Sequence, residues 1–412
     1  MNTYEFFLHE IEKNGIIPQR SIWHLPCVRG SMKQKEKKQM MNELLYNSYL
    51  QVDLGVLRKN AEQILSELGP GVQLIPVLKD DLYGLGAVPA AKIYSEYPEI
   101  RCFAVSQVQE GLALREAGID REILVMGNSP AFQAEAAIAA DLTLTCGRLG
   151  FLKDYSEAAG KFGTKAKFQL KIDAGLHRIG VEPRELSAWI EEYRVCKEGL
   201  SLTGVYSHFS DAENFPLDEK QYGVFQSALS QLEAAGVEIP MRHMAATASF
   251  ESFPQFKLDG VRCGRRLIMD RPAEPDGKIR EAASWRSYIT NIKERKKGDL
   301  VGYGGRLRLE KDCTVATVCA GYGDGLNQDL VRIGGPVLAG GKRCRLLVCC
   351  MDQCQIDVTG TDCRVGDEVT FFGYDREGNF LSSQEVAAMV NGDEGCGLTT
   401  ALSARVGRIY SE

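Results

Sequence analysis

The chain predicts an α/β fold, a (β/α)8 barrel followed by a C-terminal all-β domain. Two observations predict it. Eight apolar, strand-like segments alternate with amphipathic helical stretches between residues 73 and 263, the signature of parallel strands joined by helical crossovers. After about residue 280 glycines crowd in, helical periodicity vanishes and short strands follow one another, which reads as an all-β domain. A doubly wound open sheet fits the same alternation, but the count of eight favours a closed barrel.

Residues 1–40 carry the charge run KQKEKKQMM and lack the continuous apolar core of a secretory signal; they read as a loosely ordered extension. The barrel is expected over 41–278. Its first segment, NSYLQVDLGVLRKNAEQILSEL (47–68), reads as a strand and then a helix, and residues 46–52 are placed to pair with the β domain. The barrel strands follow as QLIPVLK (73–79), CFAVS (102–106), ILVMG (123–127), LTLTC (142–146), FQLKID (168–173), TGVYS (203–207), PMRHMA (240–245) and LDGVRC (258–263). The helical stretch 105–118 closes on a glycine just past its end, as helices commonly do; 218–236 is a second. The β domain is expected over 279–412, from the runs DCTVATVCAGY, PVLAG, CRLLVCC, CQIDVTG and EVTFFG.

The 412 residues suffice for two or three domains. A net charge of −6, from 49 basic and 55 acidic residues, leaves no basic stripe for nucleic acid. No apolar run is long enough to span a bilayer. The 13 cysteines are odd in number, irregular in spacing and mostly inside strand-like runs. They read as reduced thiols, and with no signal segment they suggest the cytoplasm. The cluster Cys344, Cys349, Cys350, Cys354 matches no usual zinc spacing; small buried hydrophobes are the better reading, and no metal site is expected.

In a barrel, chemistry gathers at the C-terminal ends of the strands. The first strand ends at Lys79. The fifth runs into KIDAGLHRIG, with Lys171, Asp173, His177 and Arg178. The sixth runs into SHFSDAEN, with His208. The seventh carries His243 and leads to Thr247, and the eighth ends at Arg262, then Cys263 and Gly264. Taken singly, a strand-end lysine is usually solvated and a lone histidine usually packs. Several cations around one opening instead suit an anionic ligand, a phosphate above all.

The ordered set VLKDDLYGLG, KIDAGLHRIG, SHFSDAEN, HMAATAS, VRCG, YGGR, GYGDG, CCMDQC and terminal RVGRIY resembles the bacterial alanine racemases, from about residue 46 to the end. The resemblance implies fold-type-III enzymes that use pyridoxal 5'-phosphate and act as homodimers with shared active sites. It implies that Lys79 carries the cofactor through its amine and serves as one acid/base. Tyr322, in GYGDG, is implied as the second, reaching into the other subunit's site. Tyr83, Thr247, Gly264 and Arg265 are implied at the phosphate, His208 beside the ring and Arg262 facing the pyridine nitrogen. An arginine there donates without yielding a proton. Arg178 and the Met351 main chain are implied at the substrate carboxylate, with Asp352 behind Met351. Lys171, a position often carbamylated in the family, is implied to hold Arg178.

The expected reaction is interconversion of L- and D-alanine for peptidoglycan supply; alternatives are a serine or broad-specificity racemase and a non-catalytic cofactor-binding paralogue. Decarboxylases of the same fold rank low, since they lack this pair of KIDAGLHR and GYGDG. Three positions depart from the family pattern: Asp80-Asp81-Leu82 between lysine and tyrosine, Ala246 in place of asparagine, and no tyrosine at the expected distance before Arg405. Two acids close to Lys79 would hold its proton on unless they point outward.

Overall fold

The computed structural model describes residues 46–212, 214–270, 277–390 and 395–412; the extension read over 1–40 lies outside them. Eight parallel strands follow one another round the barrel in chain order: Gln73–Pro76, Cys102–Val105, Glu122–Asn128, Thr143–Cys146, Ala166–Lys171, Leu200–Tyr206, Arg242–Ala246 and Gly260–Cys263. The eighth pairs with the first, Ile75 opposite Arg262. The ring closes between first and second strands through the Val77–Ala104 bridge and the Leu78 N–H bonded to the Ala104 carbonyl at 2.8 Å.

Period-two alternation sorts the strand side chains. Ile75, Val77, Cys102, Ala104 and Leu124 form one cluster, while Leu74, Phe103, Val105, Ile123 and Val125 belong to another, larger one that includes residues of the surrounding helices. Both sets are apolar because a barrel strand is buried on both faces. The interior set gives way, in the later strands, to the polar layer Gln169, Lys171, Tyr206, His243 and Arg262, all buried. That change of chemistry positions the site.

Ser48–Asp53 runs antiparallel to the 13-residue strand Ala283–Arg295 and parallel to Gly407–Ser411, so the strand that precedes the barrel belongs to the sheet of the β domain. Asp53 then caps the helix Leu54–Leu68, its Oδ1 accepting the Val56 N–H at 2.9 Å. The buried face of that helix, Val56, Leu57, Asn60, Ala61, Ile64 and Leu68, has helical spacing. Asn60 accepts from the Arg280 N–H and donates to the Leu267 and Arg280 carbonyls, tying the barrel's end to the chain leaving it.

The β domain is a nine-stranded sheet in which Glu368–Tyr374 also pairs with Ala283–Arg295. That extra pairing joins six strands into a closed ring and removes their free edges. Among the described residues no helix is long and apolar enough to cross a membrane, and no group of three or more histidine, cysteine or acidic side chains could hold a metal ion.

Candidate active site

Lys79 is not on the strand tip itself. The strand stops at Pro76, and Lys79 opens a short turn, Lys79–Tyr83, in which Asp80, Asp81, Leu82 and Tyr83 all have φ between 51° and 56°. For L-residues each left-handed position costs about 1–2 kcal/mol, so contacts on every side hold the turn. Leu82 is fully buried. The Asp81 carboxylate accepts the Ala87 N–H at 2.7 Å. Gly84 ends the turn with φ 86°, where an added Cβ would lie 2.4 Å from the Thr399 carbonyl oxygen, and its own carbonyl accepts from Arg408 Nε at 3.1 Å. Asp80 and Asp81 are both exposed, so the two acids are taken up with the turn and solvent. The lysine Nζ stands 5.6 Å from the centre of the Tyr83 ring.

Arg262 is the hub of the polar layer. Its Nη1 lies 2.5 Å from His243 Nδ1, and its Nη2 donates to the Ser207 and Met244 carbonyls at 2.8 and 2.9 Å and to His208 Nδ1 at 3.0 Å. His243 Nε2 meets Gln169 Oε1 at 2.7 Å, and its ring stacks on Tyr206 at 4.9 Å. Burial, reinforced by the Arg262 charge, pushes His243 well below the usual histidine range. Burial and the cations Arg262 and Lys171 take His208 down to about 3. Both imidazoles are therefore neutral and act as acceptors. Burial lowers Arg262 to about 10, which leaves it charged at neutral pH. The Nη atoms of the guanidinium meet four acceptors in all, and the group offers donors only.

Lys79, Tyr83, Lys171, Arg178, His208, Thr247, Arg262, Gly264 and Arg265 all line one cavity of about 750 Å³. At one side the Tyr83 hydroxyl presses on Gly264: a Cβ there would come within 2.1 Å of it. Burial raises the Tyr83 phenol above its ordinary value, so it stays a donor. Gly264 precedes the one-turn helix Arg265–Ile268, whose start no side chain caps, and Thr247 brings a hydroxyl on the adjoining segment. Hydroxyls, uncapped main-chain N–H groups, a donor-only arginine and an amine lining one cavity fit pyridoxal phosphate. Cys396 lies near the Tyr83 phenol, in the part of the chain where the sequence has no tyrosine.

Burial, then the charges of Arg262 and Arg178, lower Lys171 to about 7; its ammonium also faces the Tyr206 ring at 5.5 Å. Between about pH 7 and the ordinary lysine value near 10.5, the unfolded chain holds a proton that the folded chain has released, so stability rises with pH across that window. Below it the full cost of the buried charge applies, on the order of a few kcal/mol. Lys171→Met is therefore expected to stabilise the cofactor-free chain in urea unfolding near pH 6.5, and the gain should shrink towards pH 9.5. A gain independent of pH contradicts this.

Tyr322, Met351 and Asp352 are not among the residues lining this cavity. Tyr322 and Met351 form a single unit in the β domain, where the Tyr322 and Gly323 N–H groups donate to the Cys350 and Met351 carbonyls at 3.1 and 2.8 Å. A Cβ on Gly321 would lie 2.4 Å from the Cys350 oxygen, so the glycines of GYGDG serve a close approach between segments, beyond the needs of a turn. Asp324 accepts the Gly321 N–H at 2.8 Å and pairs with Arg405 at 3.2 Å. Both Tyr322 (41%) and Met351 (57%) are exposed in the single chain. Gln169, Tyr206, Ser207 and Ser106 were not singled out from the sequence; alternation along FQLKID, which puts Gln169 on the face of Lys171, could have found the first.

Residues 52–272 match the alanine racemase N-terminal domain, and residues 282–410 the alanine racemase C-terminal domain. An "Alanine racemase 2" of Caldanaerobacter subterraneus subsp. tengcongensis is 34% identical over 88% of this chain and 94% of its own length. An alanine racemase of Desulfovibrio desulfuricans is 32% identical over 88% and 98%. Among solved structures, the alanine racemase of Bacillus anthracis with bound L-Ala-P superimposes with a TM-score of 0.82 at 30% identity, covering 89% of this chain and 95% of that one. With two domain matches that together span most of its length, the chain belongs to the alanine racemase family.

Proposed function

We propose that the chain is a pyridoxal-phosphate-dependent racemase that interconverts L- and D-alanine, working as a cytoplasmic homodimer that supplies D-alanine for peptidoglycan. The observation that carries this reading is the single cavity lined by Lys79 and by a donor-only Arg262 backed by two neutral imidazoles. Bound pyridoxal phosphate supplies the electron sink that makes the Cα proton of an amino acid labile. Tyr83, Thr247, Gly264 and Arg265, which line the cavity, would hold its phosphate. Arg262 would offer the ring a hydrogen bond and no proton, which would limit the sink and favour simple proton return. Arg178 and the Met351 main chain, with Asp352 behind it, orient the substrate carboxylate.

Inversion at Cα needs a proton carrier on each side. Lys79 takes or returns the proton on one. Tyr322 of a second copy serves the other, since within one chain it stands outside the cavity. Lys171, lowered to about 7, has a substantial neutral amine fraction at physiological pH, which is the form that carbon dioxide modifies; as a carbamate it would hold Arg178. The reading is tested by incubating the loaded enzyme with L-alanine and, separately, L-serine in D2O, followed by chiral chromatography. D-Alanine bearing deuterium at Cα is expected, with alanine preferred over serine by about ten-fold or more. L-Alanine left unchanged by the loaded enzyme, or release of carbon dioxide, rejects it.

A further inference from the structure

We propose that Glu110 is a positioning residue for Lys79: its carboxylate pins the peptide that follows the lysine and so sets where the amine points. Glu110 sits in the first turn of the helix Val108–Glu116 after the second barrel strand. Its Oε2 accepts the N–H groups of Ser106 and Gln107 at 2.7 and 2.9 Å. That alone does what the N3 acid of a capping box does, accepting main-chain N–H groups where the helix starts. A cap has no use for the second oxygen. Oε1 reaches back 30 residues and accepts the Asp80 N–H at 2.6 Å.

Asp80 N–H belongs to the peptide plane attached to Lys79 Cα, and that plane is rigid. Holding the N–H fixes the plane and therefore the direction in which the lysine side chain leaves the backbone. Asp80 is also the first of the four left-handed residues, the point where an unassisted chain would revert to a right-handed conformation. A charged acceptor bonds about twice as strongly as a neutral one, and three donors converge on this carboxylate. The same group ties Ser106, which also lines the cavity, so one side chain joins the segments that follow two neighbouring barrel strands at the site. Glu110 touches neither substrate nor cofactor in this assignment, which rests on the reading of Lys79 as the cofactor-bearing lysine.

Glu110→Gln separates the two functions. Glutamine serves in a capping box, but its single acceptor oxygen leaves an NH2 facing one of the three N–H donors. In the cofactor-free dimer, amide exchange in the peptide 79–86 should quicken about ten-fold in the variant while the helix Val108–Glu116 exchanges as in wild type. In the loaded dimer, kcat should fall about 10–100-fold, with KM for alanine within about three-fold. Capture of added pyridoxal phosphate, followed by its lysine-bound absorbance band, should slow in step. Gln107→Ala, which truncates the residue at the helix start and leaves Glu110 in place, should match wild type in all three measurements. Wild-type exchange, kcat and capture in Glu110→Gln overturn the proposal, as does Gln107→Ala reproducing its losses. Should Glu110→Gln not fold, Glu110→Asp, one methylene short of Asp80, carries the same expectation and the same overturning result. Lys79→Ala keeps the two readings apart: activity in that variant rejects the role of Lys79, whereas an inactive Lys79→Ala beside a wild-type Glu110→Gln rejects only the role of Glu110.

Discussion

Lys79→Ala is expected to abolish racemisation in both directions, by about 10³-fold or more, while leaving the fold intact. Loss of a positioned acid/base alone costs about 10²–10⁴-fold, and in the proposed reading the same atom also holds the cofactor covalently. The fold should tolerate the change. Lys79 precedes the left-handed residues and its own φ is not positive, so alanine meets no backbone strain. Among the described residues no acid pairs with the Lys79 amine, and truncations that break no such contact usually shift stability by about 0.5 kcal/mol or less. The variant should still take up pyridoxal phosphate by its phosphate grip, without the lysine-bound absorbance band. Borohydride reduction and peptide mapping should label Lys79 in wild type and nothing in the variant. Neither L- nor D-alanine should exchange its Cα proton with D2O. Exchange at the wild-type rate for either enantiomer would remove Lys79 from the proton path.

Much of this site was legible from the sequence because a barrel converts strand order into proximity. Lys79, Lys171, His208, Thr247, Arg262 and Gly264 are spread over nearly 200 residues, yet each follows or ends a barrel strand, and all line one cavity. Short, nearly continuous apolar runs were enough to find the eight strands, since both of their faces are buried. The left-handed turn was not legible. No glycine occupies Asp80–Tyr83, and ordinary residues take positive φ only when distant contacts impose it. Those contacts come from Thr399, Arg408 and Glu110, from other parts of the chain. The same reason hides Glu110, which reads locally as one more solvated helix acid. In the β domain the strand Ala283–Arg295 was missed. Its second half is largely exposed and charged, so burial does not mark it; it is a strand because three others pair with it.

Tyr322→Phe should cost about 10²–10⁴-fold in racemisation while the absorbance band of the lysine-bound cofactor survives. The substitution removes only a hydroxyl. Tyr322 is packed through its main chain, by the close approach of Gly321 and Gly323 to Met351, and phenylalanine keeps those contacts. A two-sided proton path predicts more than a slow enzyme. With Lys79 still working on its side, one enantiomer of alanine should exchange its Cα proton with D2O without inverting, and the other should do neither. A variant inverting both enantiomers at the wild-type rate would leave the phenol no part in proton transfer. The location of the phenol has its own test, because Lys79 and Tyr322 of one chain do not share a cavity. If each site draws its lysine from one copy and its phenol from the other, Lys79→Ala and Tyr322→Phe dimers, each inactive, should complement when mixed and allowed to exchange subunits. Equal amounts give about half mixed dimers, each with one intact site of two, and so about a quarter of wild-type activity. A mixture that exchanges subunits and stays inactive would show that no site is completed across the dimer.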